Sequence, residues 1–430
     1  MITVTQPRGD SADAARRLSP SSIARQGAGY AGSALLSSAL GLVGTVVLAH
    51  ELGASSFGSY SFAVAFLLFV AMFADLGLFL PASRLLATVD SREQRSIVGA
   101  AWLVFVPTGV LYVVAVELLS FGVDSVFNVH AGAALRWAAP LAVAYPLFQA
   151  GLQLSQGVAR LHVYSTVAVL AQGLFVAAVL VWVWSGGPGD TTAAVVIRAG
   201  AFACAAVVLV AWLRPVFRGA RVHIQRLVAG ARGYGFEVYV GRVLSMGTYN
   251  MDTLMVAAFA NARSVGYYAL AGSIATASGT PVLGFCNALF PRMVHSDRID
   301  RRWISVATGL SAGVFVAAIV LAGPAVRIVF GSGFAPVVPL VIVLVLAQGI
   351  RSVTGVYNTF LSARGRGKEL RNAALVLAGS NLVLNFALIP PFGATGAAWA
   401  SVVALVANLG THVFYYRRSL GGVVEGVAHA

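Results

Sequence analysis

Charge is what this sequence has least of. Only 10% of its 430 residues are Asp, Glu, Lys or Arg, where an ordinary soluble protein carries about 25%. With 58% apolar residues and a mean hydropathy of +0.83, the chain cannot cover itself with polar surface. Soluble globular, fibrous and disordered architectures are excluded. Cysteine is nearly absent. Cys204 and Cys286 both sit inside apolar runs, where they read as small packing residues and give no disulfide framework or metal site. Also missing are a His-Glu-x-x-His zinc pair and a phosphate-cradling loop ending in Gly-Lys-Ser/Thr. The segment Gly365-Arg366-Gly367-Lys368 is too short for such a loop and reads as a basic turn. No polar stretch could house a soluble catalytic domain, so neither enzyme activity nor a cofactor is expected.

Long apolar runs fill the space that charge leaves. A helix needs about 20 apolar residues to cross the hydrocarbon core, and twelve such spans can be drawn. They cover 27–50, 52–74, 96–116, 137–159, 161–184, 191–213, 236–260, 264–290, 303–330 and 336–361, with 372–416 divided in two at Pro390-Pro391-Phe392-Gly393. The expected fold is therefore an all-α polytopic membrane protein of twelve transmembrane helices.

The basic residues alternate with this count. Of 29 Lys and Arg, 23 fall in the N-terminal segment, the C-terminal segment and every second loop. By the positive-inside rule that side is cytoplasmic and holds both termini. Arg136, Arg198, Arg263 and Arg327 fall at or near the other side. The net charge of +14 then reflects orientation and anionic lipid headgroups, with no nucleic-acid partner. Residues 1–26 read as a polar cytoplasmic tail, without a signal peptide.

Two echoes mark an internal repeat. Gly58-Ser59-Tyr60-Ser61-Phe62-Ala63 recurs as Gly266-Tyr267-Tyr268-Ala269-Leu270-Ala271, 208 residues on. Leu154-Ser155-Gln156-Gly157 is similarly echoed by Leu361-Ser362-Ala363-Arg364-Gly365. Six spans per half return the chain to its starting side, so the halves share one orientation and a pseudo-two-fold axis along the membrane normal. The expected organisation is a tail (1–26), an N-terminal six-helix lobe (27–213), a basic cytoplasmic linker (214–235), a C-terminal six-helix lobe (236–416) and a second tail (417–430). A cleft between two such lobes suits alternating access.

Ionisable groups at bilayer depth cost about 2.5–3.5 kcal/mol each on insertion scales, so they face a cavity or a partner. The seventh span concentrates them. Arg242, Ser245, Tyr249 and Asp252 are spaced 3, 4 and 3 apart, which puts them on one helical face, with Asn250 beside them. Arg351 adds a cation in the tenth span, with Gln348, Tyr357 and Asn358 near it. These residues are expected to line a hydrated cavity whose arginines attract an anionic headgroup, Asp252 pairing with an arginine or carrying a coupling ion. Internal pairing that only fixes helix packing is the alternative. Asp252, Asp75 and Glu237 are the coupling or gating candidates; Glu237 reads more readily as a solvated or first-turn residue, and Asp75, closing the second span, suits a cytoplasmic-side structural role equally well. Glu117 and His412 lie near span ends, where snorkelling accounts for them.

Leu52-Gly53 with Phe57-Gly58-Ser59-Tyr60, Asp75-Leu76-Gly77, Asn250-Met251-Asp252-Thr253-Leu254 running on to Val265-Gly266-Tyr267-Tyr268, and Arg364-Gly365-Arg366 together carry a resemblance. Over nearly all the chain after residue 25, the sequence resembles the oligosaccharide flippases. These are polysaccharide-biosynthesis exporters of the multidrug/oligosaccharidyl-lipid/polysaccharide (MOP) superfamily. The resemblance implies a protein of the inner cell membrane that moves an undecaprenyl-pyrophosphate-linked oligosaccharide to the outer leaflet for lipopolysaccharide or related glycans. The implied partners are that substrate, membrane lipids, H+ or Na+ as a coupling ion, and a polysaccharide polymerase complex. A multidrug and toxic compound extrusion (MATE) antiporter is the alternative, but its cavity for cationic drugs should be acidic. Lipid II flippases resemble fourteen-helix proteins, for which this chain has no room. A scaffold subunit of a glycan-synthesis complex would not need the in-span charges.

Overall fold

The computed structural model describes residues 20–158, 160–187, 189–231, 236–294 and 296–427. Some side chains lie outside that description, among them those of Glu237, Arg242, Ser245 and Tyr249. Among the described residues the chain is helical throughout, without a strand. The elements are α1 (Pro20–Ala71), α2 (Phe79–Leu86), α3 (Ser91–Val126), α4 (Gly132–Ala142), α5 (Ala144–Gly157), α6 (Leu161–Trp184) and α7 (Thr191–Trp212). They continue as α8 (Ala220–Gly230), α9 (Phe236–Phe259), α10 (Ala262–Val294), α11 (Arg301–Phe330), α12 (Val337–Ala363) and α13 (Gly367–Val427). A helix satisfies its backbone groups within its own segment, without water, and in this chain the helices show bare apolar surface. Trp184 is 91% and Ile328 83% exposed, which fits a hydrocarbon surround.

Eight described helical segments are long and apolar enough to cross a membrane. Two of them, Gly32–Ala74 and Gly367–Leu420, run for 43 and 54 residues, about twice what one crossing needs. Each holds one non-helical glycine. In α1 it is Gly53, at φ 67° and ψ 170°, so the first two sequence spans meet at a single residue with no loop between them. In α13 it is Gly393, at φ 55° and ψ −134°. The break thus falls within the expected Pro390-Pro391-Phe392-Gly393 segment, at its last residue. Helix continues through both prolines, and the positive φ that ends it is one that glycine alone adopts freely. Just beyond, Gly396 passes so close to the Leu388 carbonyl that a Cβ would lie 2.1 Å from its oxygen.

Other boundaries also move. The fourth span is broken between α4 and α5 at Val143, because Pro146 has no N–H to offer the carbonyl one turn back. Helix α3 starts at Ser91, where the Asp90 carboxylate accepts the N–H groups of Arg92 and Glu93. It then runs past Glu117 to Val126. From the last turn of α3, Asp124 Oδ1 accepts the N–H groups of Ala131 (2.9 Å) and Gly132 (2.8 Å) and fixes the start of α4. Helix α1 begins seven residues before the first expected span, and α13 carries helix into the expected C-terminal tail. The basic linker is not featureless. It contains α8, which buries Leu227 and ties Arg226 to Glu93 at 3.1 Å.

The core follows the long helices. Helix α10 packs along α1 and α12, and α6 packs along α1 and α7. The closest approach joins the two repeat glycines. A Cβ on Gly58 would lie 1.7 Å from the Ala262 carbonyl oxygen, and one on Gly266 would lie 2.3 Å from that of Ala54.

Candidate functional site: a polar cavity between the helices

A cavity of about 590 Å³ lies among α1, α6, α7, α9, α10, α12 and α13. Its charged walls, among the described side chains, are Arg198, Arg351 and Asp252. Polar groups from Gln172, Asn250, Gln348 and Ser401 surround them. Small residues make the space. Gly41 lets the Gln172 amide approach to within 3.5 Å of where a Cβ would stand, and Gly279 does the same for Gln348 at 2.3 Å.

Arg198 stands seven residues into α7, about 10 Å along the helix. Its guanidinium lies over the rings of Phe175 (4.9 Å) and Phe202 (5.5 Å). Its Nη1 donates to the Tyr60 hydroxyl at 3.2 Å. Its Nε is buried without a hydrogen-bond partner, and among the described residues no carboxylate forms an ion pair with it. Aromatic faces stabilise a cation by about 0.5–2 kcal/mol without neutralising it. The cavity wall therefore presents a positive charge that can still accept an anion.

Asp252 is held differently. Its carboxylate accepts from Asn385 Nδ2 (2.6 Å), the Tyr268 hydroxyl (2.9 Å) and Ser401 Oγ (2.9 Å). Asn385 also donates to Asn381 Oδ1 at 3.0 Å. Among the described residues no arginine makes an ion pair with Asp252, and its described partners are neutral donors. The two tyrosines occupy matching positions in the two Gly-x-Tyr-x-x-Ala segments of the sequence. Tyr60 meets a cation and Tyr268 an anion.

Of the residues singled out in the sequence, Asn250, Asp252, Gln348 and Arg351 share this cavity. Asn358 does not. Its amide contacts His412 Nε2 at 3.3 Å, and His412 Nδ1 in turn lies 2.9 Å from the Asn408 carbonyl, so both belong to packing between α12 and α13. That places His412 at 3% exposure inside the bundle, not snorkelling at a helix end. Asp75 is not among the cavity walls either. Its carboxylate accepts from Gln153 Nε2 at 3.0 Å and from the Phe79 N–H at 3.5 Å. It thereby fixes the turn between α1 and α2 in which Leu76 (φ 48°) and Gly77 (φ 73°) take left-handed backbone. The side chains of Arg242, Ser245, Tyr249 and Glu237 lie outside the described ones.

Sequence reading missed Arg198, Asn381, Asn385 and Ser401. Arg198 was assigned to the loop side because it is near the start of its span. An arginine two turns inside an otherwise apolar helix was the available signal. Asn381 and Asn385 are four apart and so share a helix face, but uncharged polar residues do not interrupt an apolar run.

The family model described as polysaccharide biosynthesis protein matches residues 23–297. The chain belongs to the polysaccharide biosynthesis protein family. No curated protein sequence matches it. Among solved structures, it is similar to the lipid II flippase MurJ in an inward closed conformation, with a TM-score of 0.67 and 15% identity, over 90% of this chain and 87% of that one. It is similar too to an inward-facing MATE family multidrug transporter of the MOP superfamily, with a TM-score of 0.68 and 14% identity, over 90% of this chain and 96% of that one. An outward-facing MATE family transporter aligns with a TM-score of 0.60 and 12% identity, over 94% and 97%. This family member thus has the MOP flippase fold. The cavity described above lies within it.

Proposed function

We propose that the protein is a flippase that moves an undecaprenyl-pyrophosphate-linked oligosaccharide across the inner cell membrane by alternating access, supplying cell-surface polysaccharide or lipopolysaccharide synthesis. The observation that carries this reading is Arg198. Its guanidinium lies over two aromatic rings in the wall of a polar cavity, without a carboxylate ion pair among the described residues. A diphosphate is far too costly to leave unpaired in hydrocarbon. Arginine matches its oxygens in charge and in donor geometry. The prenyl tail stays in lipid while the head is held in the cavity. The family match and the likeness to MurJ support the same class of substrate.

The topology that goes with this reading has twelve crossings in two six-helix lobes and both termini in the cytoplasm. The segments broken at Gly53 and Gly393 each supply two crossings. Residues related by a two-fold axis can touch only where they lie beside it. The mutual contact of Gly58 with the Ala262–Gly266 turn supports an axis between the repeats.

The test is flipping in reconstituted vesicles. Replacing Arg198 and Arg351 together by glutamine should reduce transport of a lipid-diphosphate oligosaccharide by at least about tenfold, the loss of one charge-assisted bond or more. Unchanged flipping by the folded double variant would refute the reading. A MATE-type cation antiporter is the second reading. The caged Asp252 favours it, as a carboxylate able to take up H+ or Na+. Cation-driven efflux of a cationic dye, abolished by Asp252→Asn, would establish it in place of the flippase.

A further inference from the structure

A second basic cavity lies apart from the first and shares no wall with it. It encloses about 350 Å³ and is lined by Arg92, Arg95, Arg160 and Arg214, with Ser91 and Gln94. Three separate pieces of chain bring these residues together: the first turns of α3, the link between α5 and α6, and the strap that leaves α7. The strap is tied down. Arg95 Nε donates to the Arg214 carbonyl at 3.2 Å, and the Val216 N–H donates to the Arg95 carbonyl at 2.9 Å. Gly99 allows the contact, since a Cβ there would lie 2.2 Å from the Val216 carbonyl oxygen. Arg214 itself is held at φ 51°, a left-handed backbone that a non-glycine residue rarely adopts.

The nearby carboxylates are engaged elsewhere. Asp90 caps α3 through the N–H groups of Arg92 and Glu93. Glu93 pairs with Arg226 at 3.1 Å and approaches His223 at 4.0 Å. Among the described residues no carboxylate pairs with any of the four arginines. Four exposed arginines line one small space, and an anion among them would be attracted by all four. Their planar forks suit the tetrahedral oxygens of phosphate.

We propose that this cup binds a phosphate or diphosphate group, either that of an anionic lipid headgroup or free in solution. The inference does not depend on what the central cavity carries. Purified full-length protein should bind a short-chain phosphatidylglycerol in native mass spectrometry in preference to phosphatidylcholine. Inorganic pyrophosphate serves as the soluble probe. Competition of the lipid by pyrophosphate identifies the soluble group as a ligand, and lipid binding without competition identifies the headgroup. Arg92→Gln with Arg160→Gln, neither of which makes a described structural bond through its side chain, should weaken binding by about tenfold or more. The corresponding lysine pair should keep much of it. Arg160→Gln alone serves if the double variant fails to fold. Arg198→Gln, in the central cavity, should leave binding to the cup intact and so separates this site from the transport site. Equal binding by the parent and a folded glutamine variant, or no binding of either probe by the parent, overturns the proposal.

Discussion

Adding one methyl group at Gly58 should open the seam between the repeats. A Cβ there would stand 1.7 Å from the Ala262 carbonyl oxygen, where ordinary contact begins near 3.4 Å. The obstacle is backbone on both sides, so no side chain can swing away, and α1 and α10 must part by more than an ångström. Overpacking of this kind costs about 1–3 kcal/mol. If the seam parts in the alternate state of a transport cycle, that cost falls on the present state alone. The balance of the two states then shifts by about 5- to 150-fold. The nearby contact of Asn128 with α9 reports it. Its N–H and side-chain amide donate to the carbonyls of Ala257 (2.9 Å) and Ala258 (3.1 Å). Cysteines placed at Asn128 and Ala258, in a background without Cys204 and Cys286, should cross-link readily in the parent and at least about fivefold more slowly with Gly58→Ala. Gly272→Ala, on the same helix with nothing within 4 Å of its Cβ, is the control and should change nothing. Equal cross-linking in Gly58→Ala and the parent would show that the seam does not move, and rocking about it would have to be abandoned.

Asn385→Leu should cost about 1–3 kcal/mol of stability, because it removes the shortest donor to a buried carboxylate at a site with 0% exposure; thermal melting checks this, and an unchanged midpoint would argue that Asp252 has another partner. Asp124→Ala should lower the midpoint as well, by the equivalent of about 1–2 kcal/mol, since two N–H groups at the start of α4 lose their acceptor. Tyr60→Phe should weaken capture of a diphosphate lipid with little effect on any cation dependence. Tyr268→Phe should do the reverse, as read from binding and from the ion dependence of vesicle transport.

Composition alone carried the fold class, because no arrangement of so few charged residues could hide this much apolar surface. The glycine and proline punctuation was legible to within a few residues at Gly53 and Gly393. What it could not give was the conformation. Two adjacent prolines look like the break, yet they can end a helix that a glycine then turns. Asp252 and Arg351 stood out because a charge in an apolar run is costly wherever it points. Arg198 was misplaced because depth was judged from the end of its span, and a seven-residue offset is two helical turns. The asparagines and Ser401 were invisible for a different reason. Their meaning depends on α13 lying against α9, more than a hundred residues away in sequence, and no local pattern encodes that contact. Asn358 shows the converse, since the spacing that put it on the face of Arg351 could not say that His412 would meet it first.

Under the two-lobe reading proposed above, duplication accounts for what the two halves keep, and divergence for what each does. The glycines at 58 and 266 answer to a purely geometric demand, since a side chain on either would force apart the helices that both repeats contribute. The tyrosines two residues later meet no such demand and could have diverged. Both have instead become partners of a charge, and the charges are opposite. Arg198 comes from α7, late in the first half, and Asp252 from α9, at the opening of the second. Had the charges been like, their mutual repulsion across one cavity would have added to the cost of burying each. Opposite charges held by separate neutral partners avoid that repulsion without forming an ion pair that would close the space between them. A cavity built this way stays polar and open, and it can respond to an anion at one wall and a cation at the other.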